Sequence, residues 1–233
     1  MGLQISASGI LNANIRQQAV ANNIANVSTP GFQSQQVRSS DVRGGGVQIG
    51  SVSRDTSPGS VQQTGRALDV AAPEAFFQVR NADGSVGFTR DGSFSLNGQG
   101  QVVNASGAQL EPPIRVPANA TGVTVTRTGE VFATTPNSLA PQNAGQIEVF
   151  TFANPQGLEA QGGGLFQATA ASGPAQRANG AQVISGALEG SNVNLAQEQV
   201  NSLQNVNGFK ANANAFRAQS DLLGELLNLA SDR

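Results

Sequence analysis

From Val206 to Ala230, small or apolar residues follow one another at steps of three and four: Val206, Phe209, Ala213, Phe216, Ser220, Leu223, Leu227 and Ala230. This is the a/d stripe of a coiled coil sustained over more than three heptads, and a lone helix cannot bury it. The tail Leu222-Leu223-Gly224-Glu225-Leu226-Leu227-Asn228-Leu229 is apolar around more of its circumference than one buried face requires. Such a helix needs neighbours on several sides. After Asn192 only Gly208 and Gly224 interrupt the helical composition. The helix is therefore expected to start near Asn194, which can cap it, with Gln197 placed to complete a capping box. Gly208 costs roughly 1 kcal/mol of propensity relative to Ala, and either a bend or a close approach would account for it.

The nearest partner for that stripe is the other end of the chain. Between Met1 and Val27, the residues Leu3, Ala7, Ile10, Leu11, Ile15, Ala19 and Val20 recur at helical spacing, so the two ends are expected to pair as helices. Packing of the stripe on the middle of the chain is the alternative. Thr29-Pro30-Gly31 should end the first helix, because a residue before proline leaves the α region and Gly accepts the positive φ of a type II turn.

From about Gly44 to Gly186 the pattern changes to short β-branched or alternating runs separated by Gly, Asn, Asp and Pro, which predicts an all-β middle. The clearest hairpin joins Phe76-Phe77-Gln78-Val79 to Val86-Gly87-Phe88-Thr89 through Asn81-Ala82-Asp83-Gly84. A second is predicted from Val123-Thr124-Val125-Thr126 to Val131-Phe132.

The chain has 233 residues, neither His nor Cys, a formal charge of -2 and only 12% charged residues. These values remove the thiol nucleophile, the disulfide framework, the usual zinc ligands and the Ser-His-Asp arrangement together. The thin spread of Lys and Arg gives no basic stripe for nucleic acid, while low charge favours self-association. No apolar run approaches the roughly 20 residues needed to span a bilayer, so direct membrane insertion is not expected. The first residues lack the n-region, h-region and cleavage site of a standard secretory signal. Asp83, Asp91 and Glu111 could be counted toward a carboxylate pair, but Asp83 and Asp91 each precede Gly and are better explained as turn residues. Gly44-Gly45-Gly46 and Gly162-Gly163-Gly164 lack the context of a phosphate-binding loop and are expected to be loops or close-packing points. No catalytic, metal-binding or cofactor-binding residue is expected.

The segment Ala21-Asn22-Asn23-Ile24-Ala25-Asn26-Val27-Ser28-Thr29-Pro30-Gly31-Phe32 resembles the signature of the bacterial flagellar basal-body rod and hook proteins. Leu188-Glu189-Gly190-Ser191-Asn192-Val193-Asn194 resembles the second hallmark of that family. Between them, Leu68-Asp69-Val70, Phe76 to Val79 and Phe88-Thr89-Arg90-Asp91-Gly92-Ser93-Phe94 resemble its shared β domain. Ile114 to Ala120 and Phe152 to Glu159 look most like its distal rod members, with proximal rod and hook-type subunits as alternatives. Outside the family, an all-β binding module such as an adhesin or tail-fibre domain is the competing class. One departure is local: Ala71-Ala72-Pro73-Glu74-Ala75 stands where the family has a Gly-rich turn, which predicts a different turn geometry.

The resemblance implies an α+β fold in which N- and C-terminal α-helices form a coiled-coil layer, with an all-β central domain outside it. The expected domains are 1–32 and 187–233 as the two helical parts, 33–66 as a connecting, β-extended segment, and 67–186 as the outer β domain. It implies a self-assembling structural subunit of a helical tube that carries motor torque and contains the export channel. The implied partners are further copies of itself, other rod and hook proteins, the surrounding ring proteins and the flagellar export apparatus. The implied place is the periplasm-spanning rod of the basal body, reached without a cleaved signal peptide. Packing between copies is assigned to Leu3, Ile10, Leu11, Ile15 and Ile24 at one end, and to Val206, Phe209, Phe216, Leu223 and Leu227 at the other. The family motif is carried by Asn22, Asn23, Asn26, Pro30, Gly31 and Phe32, and by Glu189, Ser191, Asn192 and Val193. The asparagines are either solvated or bonded to neighbouring copies, fixing register as buried polar groups do in coiled coils. Terminal helices ordered mainly by neighbouring copies are a further expectation.

Overall fold

The Ala-, Asn- and Gln-rich start forms helix α1 (Gly2–Ala25), and the end forms helix α2 (Leu195–Ser231). The computed structural model describes residues 2–136, 138 and 140–231, without the side chains of 230 and 231. The side chain of Ala230 in the stripe, and residues 1, 137, 139, 232 and 233 of the expected domains, therefore lie outside the described residues. The fold is α+β, with the two terminal helices packed together and β-sheets between them in sequence.

Local chemistry shapes the turn beyond α1, which ends at Ala25, and the start of α2. Beyond α1, the Phe32 N–H donates to the Thr29 carbonyl (3.3 Å) across Pro30 and Gly31, whose φ is +66°. That is the expected proline-glycine turn. At the start of α2, the Gln197 N–H donates to Asn194 Oδ1 at 3.2 Å, so Asn194 caps the helix. The return half of the capping box is not made: the Gln197 amide donates to Asn201 Oδ1 at 3.1 Å instead. Helix α2 runs through Gly208 without interruption, and nothing stands within 4 Å of where its Cβ would be. No close approach explains that glycine.

The residues group into two compact units, one of Met1–Val27, Ser34–Asp55 and Val193–Arg233, the other of Ser28–Gln33 and Thr56–Asn192. The first holds both helices and an antiparallel hairpin of β1 (Gln35–Asp41) and β2 (Val47–Arg54). These strands are rich in Gln, Ser and Arg, and they turn at Gly44-Gly45-Gly46, where φ is near +100° at all three positions.

The second unit is all-β. Its nine-stranded sheet runs Glu159–Gly162, Leu165–Gln167, Val86–Thr89, Phe76–Arg80, Gln109–Glu111, Val102–Val103, Ser95–Leu96, with Val149–Thr151 also pairing Phe76–Arg80 and Gln176–Arg177 pairing Val149–Thr151. The hairpin read from the sequence is its centre, in the register Gln78↔Phe88 and Arg80↔Val86. Gly122–Val125 and Glu130–Thr134 form the second one, extended by Gln142–Gln146.

Alternation along Phe76–Arg80 builds a core on each face of the sheet. Phe77 and Val79 join Phe94, Leu110 and Ile114 on one side, while Phe76 joins Phe88, Phe152, Leu158 and Phe166 on the other. The rings meet edge to face, at 5.2 Å between centroids for Phe77 and Phe94 and 4.9 Å for Phe88 and Phe152, the arrangement that aromatic quadrupoles favour. The turn from Ala72 to Ala75 closes with an Ala75 N–H bond to the Ala72 carbonyl (3.1 Å) across Pro73 and Glu74. Glu74 sits at φ +68°, a conformation that glycine adopts freely and other residues do not.

Candidate assembly surfaces

Within the helical unit, the two helices are antiparallel and meet along a seam of small and polar residues. Gly2 lies against Gln219 and Gly9 against Asn212, each so close that a Cβ would come within 2.8 Å or less of the amide group. Further along, the Gln17 amide donates to Ser202 Oγ (2.9 Å) and the Asn23 amide to Glu198 Oε1 (2.9 Å). Ser6, Ala13 and Val20 are buried between these positions. Glycines on α1 thus receive amides from α2, one heptad apart on each helix.

This corrects the expectation for how the two ends meet. The stripe of Val206, Phe209, Phe216, Leu223 and Leu227 is not the seam with α1: all five side chains are exposed, from 38% for Val206 and Phe216 to 66% for Leu227. On α1, Leu11 is exposed (58%), and Leu3, Ile10, Ile15 and Ile24 are half-buried. The physical reason is shape. Two helices brought together by Gly2 and Gly9 leave no room between them for leucine or phenylalanine, so the large apolar residues turn outward.

A further side of α1 is covered by the hairpin. Asn23 accepts the Gln35 N–H (2.8 Å) and donates to the Gln35 carbonyl (2.9 Å). Asn12 and Arg16 both donate to Ser39 Oγ, at 2.7 and 3.1 Å. The Val47 N–H donates to Ser8 Oγ (3.2 Å), and a Cβ on Gly45 would strike Ile5. Asn23, at 1% exposure, thereby serves hairpin and α2 together within the subunit. Asn26 instead bonds back to Asn22, to its carbonyl (2.9 Å) and its Oδ1 (2.8 Å).

In the β unit the remaining motif residues come together. The Gly31 N–H donates to the Glu189 carbonyl (2.8 Å), and the Asn192 N–H donates to the Phe32 carbonyl (3.3 Å). Pro30, Phe32, Ser191 and Asn192 are half-buried in the chain, and Gly31 is buried; Val193, also half-buried, belongs to the helical unit. Glu189 Oε1 accepts from Arg90 Nη1 (3.2 Å) and from the Gly59 N–H (3.0 Å), with both charged side chains 2% exposed. Arg90 also lies over the Phe76 ring, 5.0 Å from its centroid, a cation–π contact. Burial raises the Glu189 carboxyl above its ordinary pKa; the Arg90 charge and the Gly59 N–H partly offset this, and the charge of Glu74 adds to it.

The acidic residues weighed as a carboxylate pair have structural partners. Asp83 Oδ1 accepts from the Ser85 hydroxyl (2.6 Å) and N–H (2.8 Å), which hold its carboxyl below the usual range. Asp91 accepts the Ser93 N–H (2.9 Å), and Glu111 pairs with Arg80 (2.8 Å). Among the described residues no group of three or more acidic side chains could hold a metal ion, and no helix is long and apolar enough to cross a membrane.

The small-polar seam and the Arg90–Glu189 pair were not read from the sequence. A signal for the seam existed in the heptad spacing of Gly2 and Gly9 on one helix and of Asn205, Asn212 and Gln219 on the other.

Three family models match the chain: the flagella basal body rod protein over residues 3–33, the flagellar hook protein FlgE/F/G D1 domain over 73–133, and the flagellar basal body rod FlgEFG protein C-terminal region over 184–229. The flagellar basal-body rod protein FlgG of Buchnera aphidicola subsp. Acyrthosiphon pisum is 33% identical, covering 97% of this chain and 98% of its own length. FlgG of Caulobacter vibrioides is 31% identical over 98% and 99% of the two chains. The flagellar basal-body rod protein FlgF of Escherichia coli is 32% identical over 97% of each. These matches set aside the adhesin and tail-fibre reading. Terminal helices paired in one unit, a β-sheet unit that joins Gly31 and Phe32 of one signature segment to Glu189 and Asn192 of the other, and full-length similarity lead to one assignment: the chain belongs to the flagellar basal-body rod protein family, as a non-enzymatic structural subunit.

Proposed function

We propose that this subunit occupies the distal rod and builds it by self-assembly into a helical tube through the outward apolar faces of α1 and α2. One observation carries the reading: the helices meet through glycine and amide side chains, while Leu203, Phe209, Phe216, Leu223 and Leu227 stay exposed on α2. Each such leucine would contribute on the order of 1.5–3 kcal/mol if fully buried by a neighbouring copy. Heterologous contacts of this kind, repeated without closing, generate a tube rather than a ring.

In this reading the subunit passes motor torque along the tube, which encloses the export channel, and its neighbours are other rod and hook proteins and the surrounding rings. It reaches the periplasm-spanning rod through the flagellar export apparatus without cleavage of a signal. The match to the flagellar basal-body rod protein FlgF of Escherichia coli keeps a different position in the rod as the second reading.

The test is the double substitution Leu223→Asp with Leu227→Asp. Both side chains are exposed in the subunit, so unfolding of the monomer should not change while negative-stain microscopy shows no tubes at concentrations where the wild-type protein forms them. Normal tubes from the variant would overturn the proposal.

A further inference from the structure

The chain enters or leaves the β unit beside residues 28, 33, 56 and 192. The segments just inside these points do not run freely over the sheet. They are bonded to one another around a single buried ion pair. Glu189 is the centre: its carbonyl takes the Gly31 N–H (2.8 Å), and its Oε1 takes the Gly59 N–H (3.0 Å) and Arg90 Nη1 (3.2 Å). Next to it, the Gly190 N–H donates to the Ser60 carbonyl (2.8 Å), and the Asn192 amide donates to the Ser57 carbonyl (3.0 Å). Two glycines let the segments touch. A Cβ on Gly31 would stand 2.5 Å from the Arg90 carbonyl carbon, and one on Gly59 would collide with the Gly190 carbonyl oxygen.

We propose that Arg90 and Glu189 form a positioning pair, whose role is to fix the paths of the three segments 28–33, 56–60 and 189–192 rather than to stabilise the β unit. Any force carried along the chain into or out of this unit passes through those segments. A charged pair suits the task better than an apolar contact. Replacing a buried ion pair by packed apolar side chains is often neutral for stability, but it gives up the directional bonds that specify one arrangement. Here the carboxylate also holds a backbone N–H from a second segment, so its loss frees Gly59 as well as Arg90. The Phe76 ring beneath the guanidinium anchors the pair to the centre of the sheet. The inference holds whichever position in the rod the subunit takes.

The experiment is amide hydrogen exchange on the full-length monomer, comparing the wild type with Arg90→Met/Glu189→Leu and with Glu189→Gln. Val79 and Leu110, fully buried in the sheet, report on the stability of the unit itself. In the apolar double variant, exchange at Gly31, Gly59 and Gly190 should rise at least tenfold with Val79 and Leu110 changing less than twofold. Glu189→Gln keeps the acceptor oxygen and removes the charge, so it should give an intermediate rise of threefold or more at the same glycines. Should the double variant not fold, the single one decides. Unchanged exchange at the three glycines would overturn the proposal, and so would a rise at Val79 and Leu110 in step with them, since that is the signature of a merely stabilising contact.

Discussion

Gly9 of α1 and Asn212 of α2 approach so closely that a Cβ on Gly9 would lie 2.6 Å from the Asn212 carboxamide. Alanine at position 9 would gain roughly 1 kcal/mol of helix propensity, but only if the amide can move aside. The two positions should therefore be coupled. Gly9→Ala is expected to be more favourable by about 1 kcal/mol in an Asn212→Ala background than in the wild type, within the range usual for contacting residues. Gly9→Leu should cost about 1–3 kcal/mol by overpacking. Denaturant unfolding followed by far-UV circular dichroism checks both, and additivity of the two alanine substitutions would show that the helices do not meet at this point.

Glu74 holds the left-handed conformation in the turn from Ala72 to Ala75. A residue with a Cβ is disfavoured there by about 1–2 kcal/mol, while glycine costs about 0.4–1 kcal/mol through the freedom it adds to the unfolded chain. Glu74→Gly should thus stabilise the protein by about 0.5–1 kcal/mol, seen as a rise of roughly 1–4 °C in the thermal midpoint for a chain of this size. Glu74→Ala should give no such gain. Equal midpoints for the glycine and alanine variants would show that the backbone there is not strained.

Burial keeps the Glu189 proton bound to a higher pH in the folded chain than the ordinary glutamate value of 4.5. A group of this kind contributes stability that is complete below its unfolded pKa and is lost as pH rises through its folded one. The stability of the wild type relative to Glu189→Gln should therefore decline as pH is raised from 4.5 toward neutral. Urea unfolding across that window measures it. A relative stability that increased with pH would mean that the Arg90 charge outweighs the loss of hydration.

What was legible in the sequence is what local chemistry decides. Phe76–Arg80 and Val86–Thr89 declare themselves because alternation and an Asp-Gly turn lie within a few residues of each other, and Thr29-Pro30-Gly31 and Asn194 mark the ends of helices for the same reason. The apolar stripe of α2 was equally visible, but its partner was not. Hydrophobic periodicity finds leucines, whereas the face that meets α1 carries Ser202, Asn212 and Gln219 opposite Gln17, Gly9 and Gly2. Complementarity of a glycine with an amide is a property of two segments, and the heptad spacing of Gly2 and Gly9 or of Asn212 and Gln219 does not by itself name the partner. Strands β1 and β2 escaped notice as a hairpin because Gln, Ser and Arg supply no apolar alternation, and their pairing with α1 rests on Asn12, Asn23 and Ser8. Arg90 and Glu189 stood in two separate motifs, 99 residues apart, and only the fold makes them a pair.

The same seam predicts where α2 is held. Its contacts with α1 run from Glu198, opposite Asn23, to Gln219, opposite Gly2. Of the residues that follow, Leu222, Leu226, Leu227 and Leu229 are 60–69% exposed. A helical stretch of three turns is marginal in water without tertiary packing. Ordering it costs roughly 1–2 kcal/mol of backbone entropy per residue, which exposed leucines do not offset. In dilute monomer, amides from Leu222 to Leu229 should therefore exchange close to the rate of an unstructured peptide, while Asn205 and Asn212 exchange at least tenfold more slowly. Dependence on neighbouring copies is then confined to the last turns of α2 instead of extending over both terminal helices. In assembled tubes the leucine-rich turns should become the more protected part, because neighbouring copies would cover them. Hydrogen exchange read by mass spectrometry on monomer and tubes makes the comparison. If Leu226 and Leu227 in the monomer were as protected as Asn205, the end of α2 would be ordered from within the subunit, and assembly would not be what folds it.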